Sequence, residues 1–291
     1  MRQIEGVLTA MATPFDDSGA VDVDAARKLA AHLLEHGSHG LVIAGTTGEC
    51  PTLTDEEEIE LLRAVRAEVG DEVLLICGTG TNDTRHSREL TKMAAQNGAD
   101  ASLVVAPYYN KPNRAGLRAH FEAVAEAVPE LPLVMYNIPA RVVINMSPDL
   151  LAELGRDVDN IVAVKQANDE ELGPIEGLAV LAGNDNVFIR VLEFGGAGGI
   201  TVASHVVGDR MREMWDAAKG GDLDRARALD AELAPVYEGL SVTTNPIPVK
   251  AALELTGVAS GRMRLPLVPA DAEQRAAVKT ALEGAGIDTV N

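Results

Sequence analysis

A chain of 291 residues with 46% hydrophobic side chains is long enough to bury a full core, as one large domain or two small ones. Its formal net charge of −19 repels phosphate backbones and anionic lipids, which argues against nucleic acid and membrane as partners. A small anionic substrate is not excluded, because one arginine and one lysine reverse the field inside a cleft. The acidity itself reads either as an adaptation for solubility or as an ordinary solvated helix surface. No apolar run approaches the roughly 18 residues of a membrane span, and the first residues lack the basic-then-apolar pattern of a leader. Two cysteines, Cys50 and Cys77, are too few for a disulfide framework or a zinc site. The expected location is the cytoplasm. Aromatics are only 3% of the chain, so Ala, Val and Leu must do most of the packing.

Short runs rich in Val, Ile and Leu predict eight strands, at 7–10, 41–44, 73–77, 101–106, 133–136, 161–165, 180–182 and 199–203. Near-continuous apolar strands suit a parallel sheet covered on both faces. Between them lie amphipathic stretches with recognisable ends. Gly37, Gly70, Gly98 and Gly155 stand where helices are expected to stop. Thr54 with Glu57 makes a capping box ahead of Ile59, Leu61 and Leu62. Ser147-Pro148 is an N-cap and first-turn pair ahead of Leu150, Leu151 and Leu154. Strand–helix alternation repeated eight times points to a closed (β/α)₈ TIM barrel of the α/β class. A doubly wound open sheet is the alternative, weakened because no Gly-x-Gly-x-x-Gly turn follows the first strand. Beyond strand eight, 209–220, 222–241, 246–256 and 271–284 read as helices. One closes the barrel and the others are additional. The organisation is thus a barrel core over 1–208 and a C-terminal helical region over 209–291, with no linker composition between them. The Ala226, Leu229, Leu233 stripe packs either on the barrel or on another subunit.

In such a barrel the reactive groups lie at the C-terminal ends of the strands. Strand two ends in Gly45-Thr46-Thr47-Gly48-Glu49, and strand four leads into Pro107-Tyr108-Tyr109-Asn110-Lys111-Pro112. Strand five ends in Tyr136-Asn137-Ile138-Pro139-Ala140-Arg141, strand six in Lys165, and strand seven in Gly183-Asn184-Asp185. Of seven lysines, only Lys165 ends an apolar strand; Lys250 lies in a late helix and the rest sit on polar helix positions or in a loop. A lysine in an apolar mouth loses ammonium solvation, which favours the neutral, nucleophilic amine that forms a Schiff base with a ketone. Equally, it is a lysine that snorkels to the surface. Tyr136 is either a proton relay or a core tyrosine, and Arg141 either a carboxylate clamp or a surface charge. Thr46 and Thr47 between glycines suit a small carboxylate, or form an ordinary turn. A phosphate loop is less well matched, because the Gly-Lys-Ser/Thr ending is missing. One of Tyr108 and Tyr109 serves the mouth and the other an interface, or both pack at an interface. Cys50 has no base beside it and reads as structural.

Taken together, these segments resemble the dihydrodipicolinate synthase / N-acetylneuraminate lyase family, and its synthase branch most. The resemblance runs from Gly6-Val7-Leu8-Thr9-Ala10-Met11-Ala12-Thr13-Pro14-Phe15 to Asn245-Pro246-Ile247-Pro248-Val249-Lys250. It implies that Lys165 is the Schiff-base lysine for pyruvate and Tyr136 the central acid/base, with Thr47 and Tyr109 completing a proton relay. It implies that Tyr109 enters from the neighbouring subunit of a dimer, usually paired into a homotetramer. Thr46 and Thr47 would bind the pyruvate carboxylate, Gly183 and the backbone of Ile200 would line the pocket, and Arg141 would hold the carboxylate of aspartate semialdehyde. The implied reaction gives 4-hydroxy-tetrahydrodipicolinate, towards lysine and diaminopimelate. It calls for no metal and no organic cofactor, only a covalent pyruvate imine on Lys165.

The chain departs from the family pattern at Gln166-Ala167-Asn168-Asp169, where an acid and a Ser/Thr-Gly-Asp are common, and at Asn184, often an acid. These changes touch the second substrate, leaving open a pyruvate-dependent lyase acting on a sialic or 2-keto-3-deoxy sugar acid. A non-catalytic pyruvate-binding scaffold is disfavoured by the full set of reactive side chains. Asn82 and Tyr108 of the family's lysine effector site remain, but Asp55, Glu58 and His86 stand where inhibited members carry two histidines and a glutamate. Inhibition by lysine is therefore expected to be weak or absent, and half-inhibition well below millimolar would contradict this.

Overall fold

The computed structural model describes residues 3–290. Its eight strands are β1 (Gly6–Ala10), β2 (Gly40–Ile43), β3 (Leu74–Gly78), β4 (Ala101–Val105), β5 (Leu133–Asn137), β6 (Ile161–Gln166), β7 (Ala179–Ala182) and β8 (Gly198–Thr201). Each pairs in parallel with the next, and β8 returns to β1 with Gly6 opposite Gly198 and Thr9 opposite Thr201. The sheet is therefore a closed barrel, as the eight apolar runs predict, and not an open doubly wound sheet. Every residue of β1, β2, β5 and β8 is buried, which is what near-continuous apolar runs require of a sheet covered on both faces. Closure depends on glycine. Gly198 has φ +123°, and a Cβ there would lie 2.2 Å from the Gly6 carbonyl oxygen, so a side chain would hold β8 away from β1.

The helices are α1 (Val23–Glu35), α2 (Asp55–Val69), α3 (Thr84–Gln96), α4 (Arg114–Ala125), α5 (Pro139–Val142), α6 (Pro148–Asp157), α7 (Phe188–Glu193), α8 (Ser204–Lys219), α9 (Leu223–Gly239), α10 (Ile247–Leu255) and α11 (Ala272–Gly284). The Thr54 capping box forms: the Glu57 amide donates to the Thr54 hydroxyl at 3.3 Å, and the Thr54 amide donates to the Glu57 carboxylate at 3.0 Å. Gly37, Gly70 and Gly98 take positive φ just past α1, α2 and α3, as helix stops should. Gly155 does not stop a helix. It lies inside α6, where a Cβ would meet Leu178 Cδ2 at 2.6 Å, so its small size serves close packing.

Helix α8 starts at Ser204, five residues before the expected 209, and is interrupted at Val207, whose φ is −130°. The division expected at 208/209 thus falls within this helix. Gly208 follows the interruption, where a Cβ would come within 2.1 Å of the His36 carbonyl oxygen; this is where α8 passes the end of α1. The Ala226, Leu229, Leu233 stripe of α9 is fully buried. It packs in one apolar cluster with Phe188, Met211, Val249 and Val278 of α7, α8, α10 and α11, on helices of the same chain. No helix among the described residues is long and apolar enough to cross a membrane.

Candidate active site

A cavity of about 170 Å³ opens at the C-terminal mouth of the barrel; Thr46, Thr47, Tyr136, Arg141, Lys165 and Gly183 all line it. Four of the five strand ends singled out in the sequence, those of β2, β5, β6 and β7, therefore converge here, and the segment after β4 does not line this cavity. Tyr136 and Lys165 sit opposite each other in the β5–β6 register, and both are 5% exposed. The Lys165 Nζ lies 4.3 Å from the centroid of the Tyr136 ring. The lysine is thus buried in the mouth and does not snorkel to the surface.

The Thr46–Thr47 turn departs sharply from β2. Ala44 and Glu49, which bracket it, both have positive φ, and the Glu49 amide donates back to the Thr46 carbonyl at 3.1 Å. The Thr13 hydroxyl donates to the Gly48 carbonyl at 2.7 Å, and the Asn245 Nδ2 donates to the Thr47 Oγ1 at 3.0 Å. Arg141 rides on α5, the single turn that starts at once after β5. Its Nη2 donates to the Asn245 carbonyl at 2.9 Å and to the Thr244 hydroxyl at 3.4 Å. At the end of β7, Gly183 leaves no room for a side chain: a Cβ there would lie 2.8 Å from both the Ala167 nitrogen and the Gln166 oxygen.

Asp185 follows Gly183 and takes amide hydrogens from Val202 at 2.9 Å and Ala203 at 3.1 Å. Burial raises its pKa above the usual carboxylate range, against the pull of those two bonds and of Lys165. Tyr237, also lining the cavity, is held above the ordinary phenol range by burial and then by the Asp185 charge. Its hydroxyl has no hydrogen-bond partner among the described residues.

Two expected residues are not part of the cavity lining within this chain, which for Tyr109 agrees with the expected entry from a neighbouring subunit. Tyr109 is 88% exposed at φ +71°, away from the cavity of its own chain. Ile200 is fully buried in β8 opposite Leu8, and the lining on that side includes Val202. The Gln166 and Asn168 departures are also displaced from the cavity. Gln166 is fully buried, accepting from the Asn137 Nδ2 at 2.9 Å and the Asn168 amide at 3.1 Å. Of the departures, only Asn184 lines the site, with its Nδ2 bonded to Asp169 at 2.9 Å.

Sequence reasoning placed Asp185 at the end of strand seven but missed Asn245 and Tyr237 as lining residues, and it gave Lys250 no buried partner. That lysine is 1% exposed and ion-paired with the fully buried Glu49 side chain. A signal existed: Ile247-Pro248-Val249-Lys250-Ala251-Ala252-Leu253 is apolar around the whole helix, so a lysine there must be buried and paired.

A second cavity of about 430 Å³ shares Thr46, Ile138 and Arg141 with the first and gathers Asp55, Glu58, Asn82, His86 and Tyr108. The His86 ring faces the Asp55 carboxylate at 3.0 Å. Burial, reinforced by the Asp55 charge, pushes the Glu58 carboxyl up to about 8 from 4.5. Burial and the Glu58 charge push the Cys50 thiol up to about 12, which disfavours the reactive thiolate. Because the folded pKa of Glu58 exceeds the unfolded one, the folded state binds the extra proton between them. Stability from this group is present below about 4.5 and is lost as pH rises through about 8. Glu58→Gln should therefore stabilise the protein more at pH 9 than at pH 5, by on the order of 4 kcal/mol in the difference. Denaturant unfolding of both proteins at the two pH values checks this; an equal effect at both contradicts it.

A parallel barrel with a buried strand-end amine, a phenol against it and a guanidinium at the same mouth defines a lyase of the class I aldolase type. The chain belongs to the dihydrodipicolinate synthetase family, whose model matches residues 3–285. It is 50% identical over 276 residues to the 4-hydroxy-tetrahydrodipicolinate synthase of Parasynechococcus marenigrum, covering 92% of this chain and 91% of that protein. The crystal structure of chloride-inhibited dihydrodipicolinate synthase from Acinetobacter baumannii complexed with pyruvate matches with a TM-score of 0.94 and 37% identity, over 98% of this chain and 100% of that one. The lysine-bound enzyme from Cyanidioschyzon merolae matches with a TM-score of 0.92 and 39% identity, over 97% of this chain and 98% of that one.

Proposed function

We propose that the protein condenses pyruvate, held as an imine on Lys165, with L-aspartate 4-semialdehyde to give 4-hydroxy-tetrahydrodipicolinate. The observation that carries this reading is the burial of the Lys165 amine against Tyr136, in a cavity that Thr47 and Arg141 also line. The names of the relatives favour a synthase over a sugar-acid lyase.

The Lys165 amine adds to the pyruvate ketone and water leaves, giving the imine. Tyr136 moves protons to and from the carbinolamine, and Thr47 connects it to the next group of the relay. Thr46 and Thr47 hold the pyruvate carboxylate on their hydroxyls and amides. Loss of a methyl proton converts the imine to an enamine, a carbon nucleophile at neutral pH, which attacks the aldehyde. Arg141 holds the carboxylate of that second substrate with two parallel hydrogen bonds. The substrate amine then closes the ring on the imine carbon and releases Lys165. The sequence of steps calls for no metal and no organic cofactor.

Tyr109 completes the relay from a neighbouring subunit, so the active unit is a dimer, paired into a tetramer. Its near-complete exposure and its left-handed backbone support this, because such a conformation persists where other contacts hold it. Tyr109→Phe should lower turnover by about a hundred-fold while leaving the pyruvate adduct intact. Steady-state assay beside mass analysis of the adduct checks this, and unchanged turnover removes Tyr109 from the relay.

The test of the whole reading is reduction with borohydride in the presence of pyruvate, followed by peptide mass analysis. A reduced adduct on Lys165 is expected, and its absence overturns the assignment. A coupled assay with aspartate semialdehyde then distinguishes the synthase from a sugar-acid lyase.

A further inference from the structure

Helix α10 and the residues just before it grip the Thr46–Thr47 turn at two points. The Asn245 amide donates to the Thr47 hydroxyl oxygen at 3.0 Å. One and a half turns later, the Lys250 ammonium pairs with Glu49, two residues beyond Thr47, and donates to the Arg262 carbonyl at 2.7 Å. Glu49 uses its other oxygen to accept from the Arg264 amide at 3.1 Å. The same Asn245 takes Arg141 on its backbone carbonyl at 2.9 Å. One residue thus touches the group that relays protons and the group that holds the second substrate, in a frame anchored by a buried ion pair.

A threonine hydroxyl carries one proton and two lone pairs. With Asn245 donating into the oxygen, the proton must point elsewhere. Thr47 is 2% exposed, and among the described residues no acceptor is paired with its hydroxyl, so the proton is directed into the cavity it shares with Tyr136 and Lys165. The Asn245 Oδ1 is buried without a partner among the described residues, so the bond to Thr47 is what sets the orientation of the amide.

We propose that Asn245 is a positioning residue that makes Thr47 a one-way hydrogen-bond donor into the cavity, and that it holds Arg141 in register with that donor. This rests on the reading of Thr47 as a relay member. Asn245→Ala removes the donor and leaves the Thr47 hydroxyl free to rotate, which should lower kcat about ten-fold with a smaller change in KM for pyruvate. Asn245→Asp is nearly isosteric but accepts only, and so draws the Thr47 proton backwards. It should lower kcat by about a hundred-fold or more at pH 8, and recover towards the alanine variant as acidification lets the carboxyl donate.

A purely structural role gives the opposite order, with the alanine variant worse and no recovery at low pH; that result overturns the proposal. Asn245→Ser, which still donates through its hydroxyl, covers the case in which the alanine variant does not fold. Turnover above that of Asn245→Asp supports the proposal, and turnover at or below it overturns it. Borohydride trapping on the unsubstituted protein runs in parallel: no adduct there is a failure of the Schiff-base reading, whereas an adduct with the wrong order of variants is a failure of the role given to Asn245.

Discussion

Lys165→Arg should lower turnover by on the order of a thousand-fold or more and abolish the borohydride-trapped pyruvate adduct. Arginine keeps the positive charge and most of the length but cannot deprotonate to a nucleophile, so it isolates the loss of the amine from the loss of charge. No other lysine in the chain can take over. Lys250 is the second buried amine, but it is consumed by Glu49 and the Arg262 carbonyl and sits over the Phe15 ring, 4.2 Å from its centroid. The five others lie outside the cavity that Thr47, Tyr136 and Arg141 line. Peptide mass analysis after trapping, together with steady-state assay, checks both halves of the expectation. An adduct that survives on another residue would sink it.

The second large effect is on stability. Lys250→Met should cost about 3–5 kcal/mol of unfolding free energy, because it strands the Glu49 carboxylate in a site with no solvent access. For a domain of this size that corresponds to a melting temperature lower by roughly 10 °C. Burial pulls the Lys250 pKa below the ordinary lysine range, and the bond to Glu49 is the largest influence opposing it. Glu49→Gln combined with Lys250→Met should recover much of the loss, because removing both charges of a buried pair is far less costly than removing one. Melting curves at one fixed protein concentration measure this. A single variant as stable as the parent, or a double variant no better than the single, contradicts it. The ion pair sits two residues from Thr47, so the single variant should also form the pyruvate adduct more slowly below its melting temperature.

Much of the candidate site was legible because barrel chemistry is arranged along the chain by a simple rule. Thr47, Tyr136, Arg141, Lys165 and Gly183 each stand at or just past the end of an apolar run, and each lines the mouth. Asn245 and Tyr237 reach the same cavity from the C-terminal region, where no strand end points to them. Asn245 meets Thr47 across 198 residues and Lys250 meets Glu49 across 201. Contacts that distant leave no periodic trace in a single sequence; only the all-round apolar character of α10 hinted that its lysine must have a buried partner. Gly155 misled for a related reason. A glycine near a helix end signals a stop when the backbone needs positive φ, but this one is small because Leu178 packs against it.

By itself, the sequence determined the eight strands, the capping box at Thr54, the parallel closed barrel and the ring of polar strand ends, because these follow from local periodicity and from the handedness of strand–helix units. Tertiary structure alone decided that the Lys165 amine is buried against Tyr136, that Gln166 lies outside the cavity while Asn184 lines it, and that α10 clamps the Thr46–Thr47 turn through Asn245 and Lys250. The physical reason is that burial and hydrogen-bond pairing depend on which distant segments the closed barrel brings together, and no local pattern encodes that choice.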